Sequence, residues 1–363
     1  MPENIASIDQ LFRCVHKEKA SDLILTEGVP PQARINGLLE SLDFETLSPR
    51  KTKELAYSIL TKQQIDIFEK EKDLGFSYVM EELCRFRVNI YIQRGSVALT
   101  ARLIPFEIPT FESLGLPEII KDFALRSHGL FIMSGPVGCG KSTTLAAMVD
   151  YINSTKRAHV ICIEDPIEYL HRSRMSAIDQ REIGCDALSF AQALRSVFRQ
   201  NPDIIMIGEI RDLETMQLAL TLAETGHLIL ATLHTQDAAS AINRIVDVFP
   251  ATQQEQIRVQ LAMALIGVVV QRLIPDTEKS GLVLACEIMN VNDAIRSLIR
   301  DNQPQQIYSV IQTGKADGMV SINNALEELF KSGRITLEDA IANSSRPKDL
   351  LKRLGGALKY DKR

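Results

Sequence analysis

At 363 residues, with 45% hydrophobic and 24% charged side chains, the chain has room for about two domains, and its composition excludes disordered and fibrous classes. Lys plus Arg total 41 against 46 Asp plus Glu, a net charge of −5, which gives no overall attraction to nucleic acid. Cys14, Cys84, Cys139, Cys162, Cys185 and Cys286 lie far apart with no C-x-x-C pair, so they read as reduced cytosolic thiols, not a disulfide frame or zinc site.

The first compositional unit is 1–105. Ile5, Ile8, Leu11, Phe12 and Val15 recur at helical spacing over Ile5–Lys19. Leu23-Ile24-Leu25 reads as a strand, Glu27–Pro31 as a turn and Asn36-Gly37 as a hairpin signal. Residues 51–70 are expected to be helical. Strands follow over Gly75–Met80, Cys84–Gln93 and Val97–Ile104, making an α+β domain with an antiparallel sheet. Pro105 and Pro109 resist helix and inner strand, which places a short stiff linker at 106–115.

From residue 116 strands and helices alternate. Strands are expected at Gly129–Met133, His159–Ile163, Ile204–Ile207 and Leu228–Thr232. Helices fall at Lys141–Ser154, Phe190–Arg199 and Leu213–Thr225. That order predicts βαβ units and a mainly parallel α/β sheet. The region 251–363 reads as mostly helical. Its longest apolar run, Leu261–Val270, has ten residues, about half of what a membrane span needs. The Met1-Pro2-Glu3-Asn4 start lacks signal-peptide character. A cytoplasmic protein is expected, with peripheral attachment to a membrane complex left open. The last stretch, Arg346–Arg363, carries seven Lys/Arg against two Asp.

Gly135-Pro136-Val137-Gly138-Cys139-Gly140-Lys141-Ser142 satisfies G-x-x-x-x-G-K-S/T at every fixed position, between an expected strand and an expected helix. Its glycines let successive backbone N–H groups cradle phosphate, and the helix adds its positive end. Lys141 is placed to reach the β/γ-phosphates and Ser142 to ligate Mg²⁺; Thr143 continues the nucleotide-binding run. A second carboxylate is needed for the metal and a group to orient water. Two acidic segments sit at strand ends: Glu164-Asp165-Pro166-Ile167-Glu168 and Gly208-Glu209. The carboxyl ends of parallel strands flank the ligand crevice, so both approach the phosphate loop. His227 and His234 bracket the strand Leu228–Thr232; together they are candidate γ-phosphate sensors, with His234 counted among the nucleotide-binding residues. No third ligand supports metal binding by this pair.

These segments together resemble the secretion ATPases of type II and type IV pilus machines, and within them the pilus-retraction motors. The Walker A loop, an Asp box (Glu164–His171), a Walker B segment (Asp203–Asp212) and a His box (Thr225–Thr235) are all present. Ser21–Pro31, Arg85–Asn89 and Gln93-Arg94-Gly95 are similar to the family's PAS-like N-terminal domain. Gln180–Gly184 and Arg244–Pro250 also fit. Ala294-Ile295-Arg296-Ser297-Leu298-Ile299-Arg300 is similar to the retraction motif AIRNLIR, with Ser297 in place of Asn. Ile24 replaces a frequent His, Cys139 a Ser, and Val320-Ser321-Ile322 a Gln-Thr-Met.

The resemblance implies a RecA-like P-loop ATPase core behind a PAS-like domain and ahead of a helical C-terminal region. It implies ATP and Mg²⁺ as cofactors and a homo-hexamer at the inner face of the cytoplasmic membrane. The implied work is pilus retraction and twitching motility through an inner-membrane platform protein, with an accessory retraction ATPase as a further candidate partner. Glu168 is implied as general base and Glu209 as Mg²⁺ ligand through water; the sequence does not rank the two roles. Arg85, Arg87, Arg94 and Arg102 are candidate arginine fingers toward a neighbouring subunit, with Arg195, Arg199 and Arg211 as alternatives. Nucleotide binding is expected to close the domains about the 105–110 linker. Arg296 and Arg300, four apart on one helical face, are candidates for coupling the ring to the pilus machinery. The competing readings are an accessory retraction ATPase, an assembly or type II secretion ATPase, a nucleic-acid motor and a non-catalytic ring adaptor. The motif at 294–300 speaks against assembly. Net negative charge without an aromatic-lined basic groove speaks against nucleic acid. The presence of Lys141, Glu168 and Glu209 speaks against an inactive ring.

Overall fold

The computed structural model describes residues 7–35, 38–80, 84–104, 107–278 and 281–358. The chain divides into two compact units, Met1–Glu107 and Ile108–Arg363.

The first unit holds strands β1 (Asp22–Leu25), β2 (Gln32–Ile35), β3 (Leu38–Ser41), β4 (Asp73–Met80), β5 (Cys84–Gln93) and β6 (Ser96–Ile104). They form one antiparallel sheet in the order β3-β2-β1-β6-β5-β4. The Ile8–Lys17 helix lays Ile8, Leu11, Phe12 and Val15 into the core beneath it. Phe12 stacks on Phe86 with ring centroids 4.0 Å apart. The helix expected over 51–70 is two helices, Pro49–Tyr57 and Lys62–Glu71. Thr61 separates them because its hydroxyl and Gln64 form a capping box that starts a new helix. The Asn36-Gly37 hairpin signal and Pro105 lie outside the described residues.

The second unit is built on β7 (Gly129–Ser134), β8 (His159–Glu164), β9 (Ala177–Glu182), β10 (Ile204–Ile207), β11 (Leu228–Thr232), β12 (Leu265–Pro275) and β13 (Leu282–Asn290). Their order is β13-β12-β7-β11-β10-β8-β9, parallel throughout except for the antiparallel β12–β13 pair. Alternate residues feed two separate cores, which is why these strands read as unbroken apolar runs. Leu130 and Ile132 of β7 face one core, Phe131 and Met133 the other. Ile161/Ile163, Ile205/Ile207 and Ile229/Ala231 pack with the first. The Lys141–Thr155 helix covers the second with Leu145, Met148 and Ile152.

Two features depart from the sequence reading. The region from 251 is not simply helical: β12 and β13 extend the sheet, pairing over nine positions from Gly267↔Asn290 to Pro275↔Leu282. The apolar run 261–270 straddles a boundary, since the Gln254–Ala264 helix ends in it and β12 begins in it. Val268, Val269 and Val270 were the β-branched signal. The linker expected at 106–115 is also shorter. Thr110 caps a Phe111–Leu114 turn of helix, and Phe111 and Leu116 are buried in the second unit's core.

Candidate nucleotide-binding site

β7 runs into the glycine-rich loop, and the Lys141–Thr155 helix leaves it. Gly135 has φ 135°, and a Cβ there would sit 2.4 Å from the Gln271 carbonyl oxygen and 2.7 Å from Cys139 Sγ. Only glycine lets the loop pass this close to β12. Cys139 is buried beneath the loop, and that burial pushes its thiol pKa up. The side chain that replaces the family's serine therefore packs inward. Val137, at the loop tip, is 88% exposed.

Lys141 is buried, with Nζ donating to the carbonyl oxygens of Gly135 (3.0 Å) and Pro136 (2.8 Å) and lying 3.3 Å from His234 Nδ1. Burial lowers its pKa; the nearby Cys139, Glu209 and Glu168 pull it back up. Both candidate acids thus act on the same ammonium group. Ser142 and Thr143 follow on the first helical turn, and Thr143 Oγ1 lies 3.1 Å from Tyr169 OH, tying the loop's helix to the Asp box.

The two acids differ in their engagement. Glu209 Oε2 accepts from Arg211 at 2.8 Å, and Oε1 lies 3.3 Å from His234 Nε2. Arg211 also reaches Asp165 at 3.3 Å. A chain Asp165–Arg211–Glu209–His234–Lys141 therefore links Asp box, Walker B, His box and P-loop. Glu168 is exposed, and among the described residues no hydrogen bond or ion pair holds its carboxylate. Its backbone N–H points at Glu164 Oε2 (3.4 Å), while Gln180 donates to Glu164 Oε1 (3.0 Å) and to the Tyr169 carbonyl (2.8 Å). Gln180 lies on β9, a polar strand whose sequence carries no alternation; the family resemblance includes it in Gln180–Gly184 but gives it no role.

The donor set fits a hard cation. Ser142 and Glu209 offer oxygens, and among the described residues no cluster of three His, Cys, Asp or Glu could hold a metal alone. Mg²⁺ needs only one or two protein oxygens when phosphates and water complete its shell.

Gly208 sits where a Cβ would meet Glu164 Cα and the Ile163 carbonyl oxygen, each at 3.3 Å. β10 and β8 pair directly in the sheet, so the acids at their ends sit side by side. Gly208→Ala is expected to cost about 1–3 kcal/mol, read as a lowered thermal midpoint, with ATPase activity falling because Glu209 moves with the strand.

The remaining candidates separate. His227 stands at the start of β11, with Nδ1 3.0 Å from the Leu222 carbonyl, a full strand away from His234. At about 3.3 Å per residue it cannot share the phosphate with His234. Arg195 pairs with Glu214 and Arg211 with Glu209, both within the same subunit. In the first unit, Arg85 is buried on β5 and Arg87 is exposed opposite Arg102. Arg102 pairs with Asp22 at 2.9 Å, and Arg94 is exposed in the β5–β6 turn. Arg296 Nη1 donates to the carbonyls of Ala262 (2.5 Å) and Met263 (3.1 Å), capping the Gln254–Ala264 helix. Arg300 is exposed, and among the described residues its guanidinium hydrogen-bonds only to Ser297 Oγ, at 3.4 Å. The expected pair therefore splits into a structural cap and a surface cation. Of the residues that depart from the family, Val320 bridges to Ile288 and Ser321 caps the Ile322–Lys331 helix.

His171 closes the Asp box. Burial lowers its pKa to about 4 from 6.5, and among the described residues nothing hydrogen-bonds its buried Nδ1. The unfolded chain then binds the extra proton first as pH falls. Stability is full above about 6.5 and declines toward about 4. His171→Gln should flatten that acid limb in a chemical-denaturation series; an unchanged limb would assign it to other groups.

The family model of the type II/IV secretion system proteins matches residues 110–317. The type IV pilus retraction ATPase PilT of Pseudomonas aeruginosa is 43% identical over 342 residues, covering 94% of this chain and 99% of that protein. PilU, a type IV pilus ATPase of the same organism, is 39% identical over 94% of this chain and 90% of its own. A crystal structure of the retraction motor PilT with bound ADP superposes with a TM-score of 0.91 at 46% identity, covering 96% of this chain and all of that one. With the P-loop, both acid-bearing strand ends and the His box in place on this sheet, the chain belongs to the type II/IV secretion system protein family, among its pilus-retraction ATPases.

Proposed function

We propose that the protein hydrolyses ATP to ADP and phosphate with Mg²⁺, as a homo-hexameric ring at the inner face of the cytoplasmic membrane. Through the pilus platform protein it drives type IV pilus retraction and twitching motility. The observation that carries the chemistry is the contrast between the two acids. Glu168 is free to polarise water beside a P-loop whose Lys141 is poised for phosphate, while Glu209 is held in position to steady the metal. PilT supports the direction of work, since its likeness spans both units of the chain. The described residues include no helix long and apolar enough to cross a membrane, so attachment there is peripheral in this reading.

The accessory role is the second reading, supported by the 39% identity with PilU. A deletion strain examined for surface pili tests both. Excess pili that do not retract support the primary motor. Retraction that continues with reduced force supports the accessory role, and loss of pili would overturn retraction in favour of assembly.

A further inference from the structure

The loop that follows β11 and carries His234 is held by three side chains, and two of them also hold C-terminal helices. Ser134, at the end of β7, accepts the Thr235 N–H (2.8 Å) and donates to the Leu233 carbonyl (3.1 Å). Arg272 on β12 donates through Nη2 to the Gln236 carbonyl (3.1 Å) and through Nη1 to the Asn343 carbonyl (2.5 Å). Glu287 on β13 accepts the Ala238 N–H through Oε1 (2.8 Å) and the Ile322 N–H through Oε2 (3.3 Å). Thr235, Gln236 and Ala238 are thus held directly after the histidine that lies 3.3 Å from both Lys141 and Glu209. Asn343 caps the end of the Leu337–Ala342 helix, and Ile322 begins the Ile322–Lys331 helix.

The strand register explains how one arginine and one glutamate come to share this task. Arg272 lies opposite Ala285, and Val270 opposite Glu287, so both side chains leave the same face of the sheet on neighbouring strands. Glu287 is buried and Arg272 partly so. A charge withdrawn from water needs hydrogen bonds in its place, and here backbone groups of the His234 loop and of the two helices supply them. Arg272 Nε has no partner among the described residues, so the guanidinium is engaged through its two Nη atoms. Shifting the loop away from either helix end breaks charge-assisted hydrogen bonds, which favours the loop and the helices moving as one.

We infer that Arg272 and Glu287 are positioning residues for the γ-phosphate response: they set His234 against the phosphate site and tie its loop to the helices Ile322–Lys331 and Leu337–Ala342. The inference rests on the ATP-hydrolysis reading. Both residues act through the loop and not by contact with the reacting atoms.

The test compares the full-length wild type with Arg272→Lys, Arg272→Gln and Glu287→Gln, using Mg²⁺-ADP and a non-hydrolysable ATP analogue as probes. ADP lacks the γ-phosphate and should bind each variant within about twofold of wild type. Affinity for the analogue should fall about tenfold, as expected for weakened charge-assisted hydrogen bonds, and kcat about 10- to 100-fold, as expected for a displaced group. Arg272→Lys keeps the charge but not the fork that spans two carbonyls, so it should lie between wild type and Arg272→Gln. Amide hydrogen exchange over 321–343 should differ between the ADP-bound and analogue-bound wild type, and the variants should lose that difference. A purely structural role would weaken both nucleotides alike. Equal weakening, wild-type discrimination between the two probes, or exchange over 321–343 that ignores the nucleotide in wild type would overturn the inference. If Arg272→Gln or Glu287→Gln does not fold, Arg272→Lys carries the test. A wild-type protein that does not hydrolyse ATP would instead sink the ATPase reading, so the two failures are distinguishable.

Discussion

Lys141→Ala is expected to lower ATP turnover by about 10²- to 10³-fold, with weaker binding of Mg²⁺-ATP. The structure shows why no neighbour can substitute. Its Nζ is the only cationic group donating to the loop's own carbonyls, those of Gly135 and Pro136, among the described residues. Arg211, the nearest guanidinium in the same chain of contacts, is committed to Glu209 and Asp165. A nucleotide's β/γ-phosphates compete with the two carbonyls for this ammonium, and they win because they carry full charge. Burial lowers the lysine's pKa, whereas bound phosphates raise it, so nucleotide affinity should rise as the lysine is protonated. Lys141→Arg should fail almost as badly, since a planar fork does not fit a point-charge site. The measurements are phosphate release and nucleotide binding on the purified protein; wild-type turnover by Lys141→Ala would remove the P-loop assignment.

The parts of this site that were legible in the sequence are those where local pattern and function coincide. The P-loop motif, Glu168, Glu209 and His234 each sit at the end of an apolar strand, and parallel strands buried on both faces announce themselves as Ile-, Leu- and Val-rich runs. The reading failed where tertiary packing overrode pattern. β9 is Ala-Ile-Asp-Gln-Arg-Glu, an edge strand with no apolar alternation, yet its Gln180 holds the Asp box through Glu164 and Tyr169. β12 was hidden because helix and strand share one apolar run, and short runs do not declare their period. Glu287 shows the same limit. It is 2% exposed on β13 and accepts the Ala238 and Ile322 backbone N–H groups, joining the helix after the His box to the C-terminal helices. Nothing in Ala285-Cys286-Glu287-Ile288 distinguishes such a carboxylate from a solvated one. Arg296 shows it too: helical spacing puts it beside Arg300 on the Asp293–Arg300 helix, but only the neighbouring helix end reveals the carbonyls it caps.

Glu168→Gln should leave ATP binding intact and reduce hydrolysis by about 10²- to 10⁴-fold. The amide keeps the shape of the side chain and loses only the capacity to take a proton from water. Among the described residues the carboxylate makes no hydrogen bond or ion pair that the change would orphan, so folding and the thermal midpoint should be unchanged. Glu209→Gln is expected to behave differently. Its carboxylate balances Arg211 and meets His234, and the amide weakens both contacts and the hold on Mg²⁺. Turnover should then recover in part as Mg²⁺ is raised, which Glu168→Gln should not do. The comparison is a Mg²⁺ titration of phosphate release for both variants, with nucleotide binding measured alongside. A Glu168→Gln protein that turns over normally, beside a Glu209→Gln protein that is inactive at every Mg²⁺ concentration, would transfer the base to Glu209. Arg211 would then be the group that tunes it, because its guanidinium lies 2.8 Å from that carboxylate.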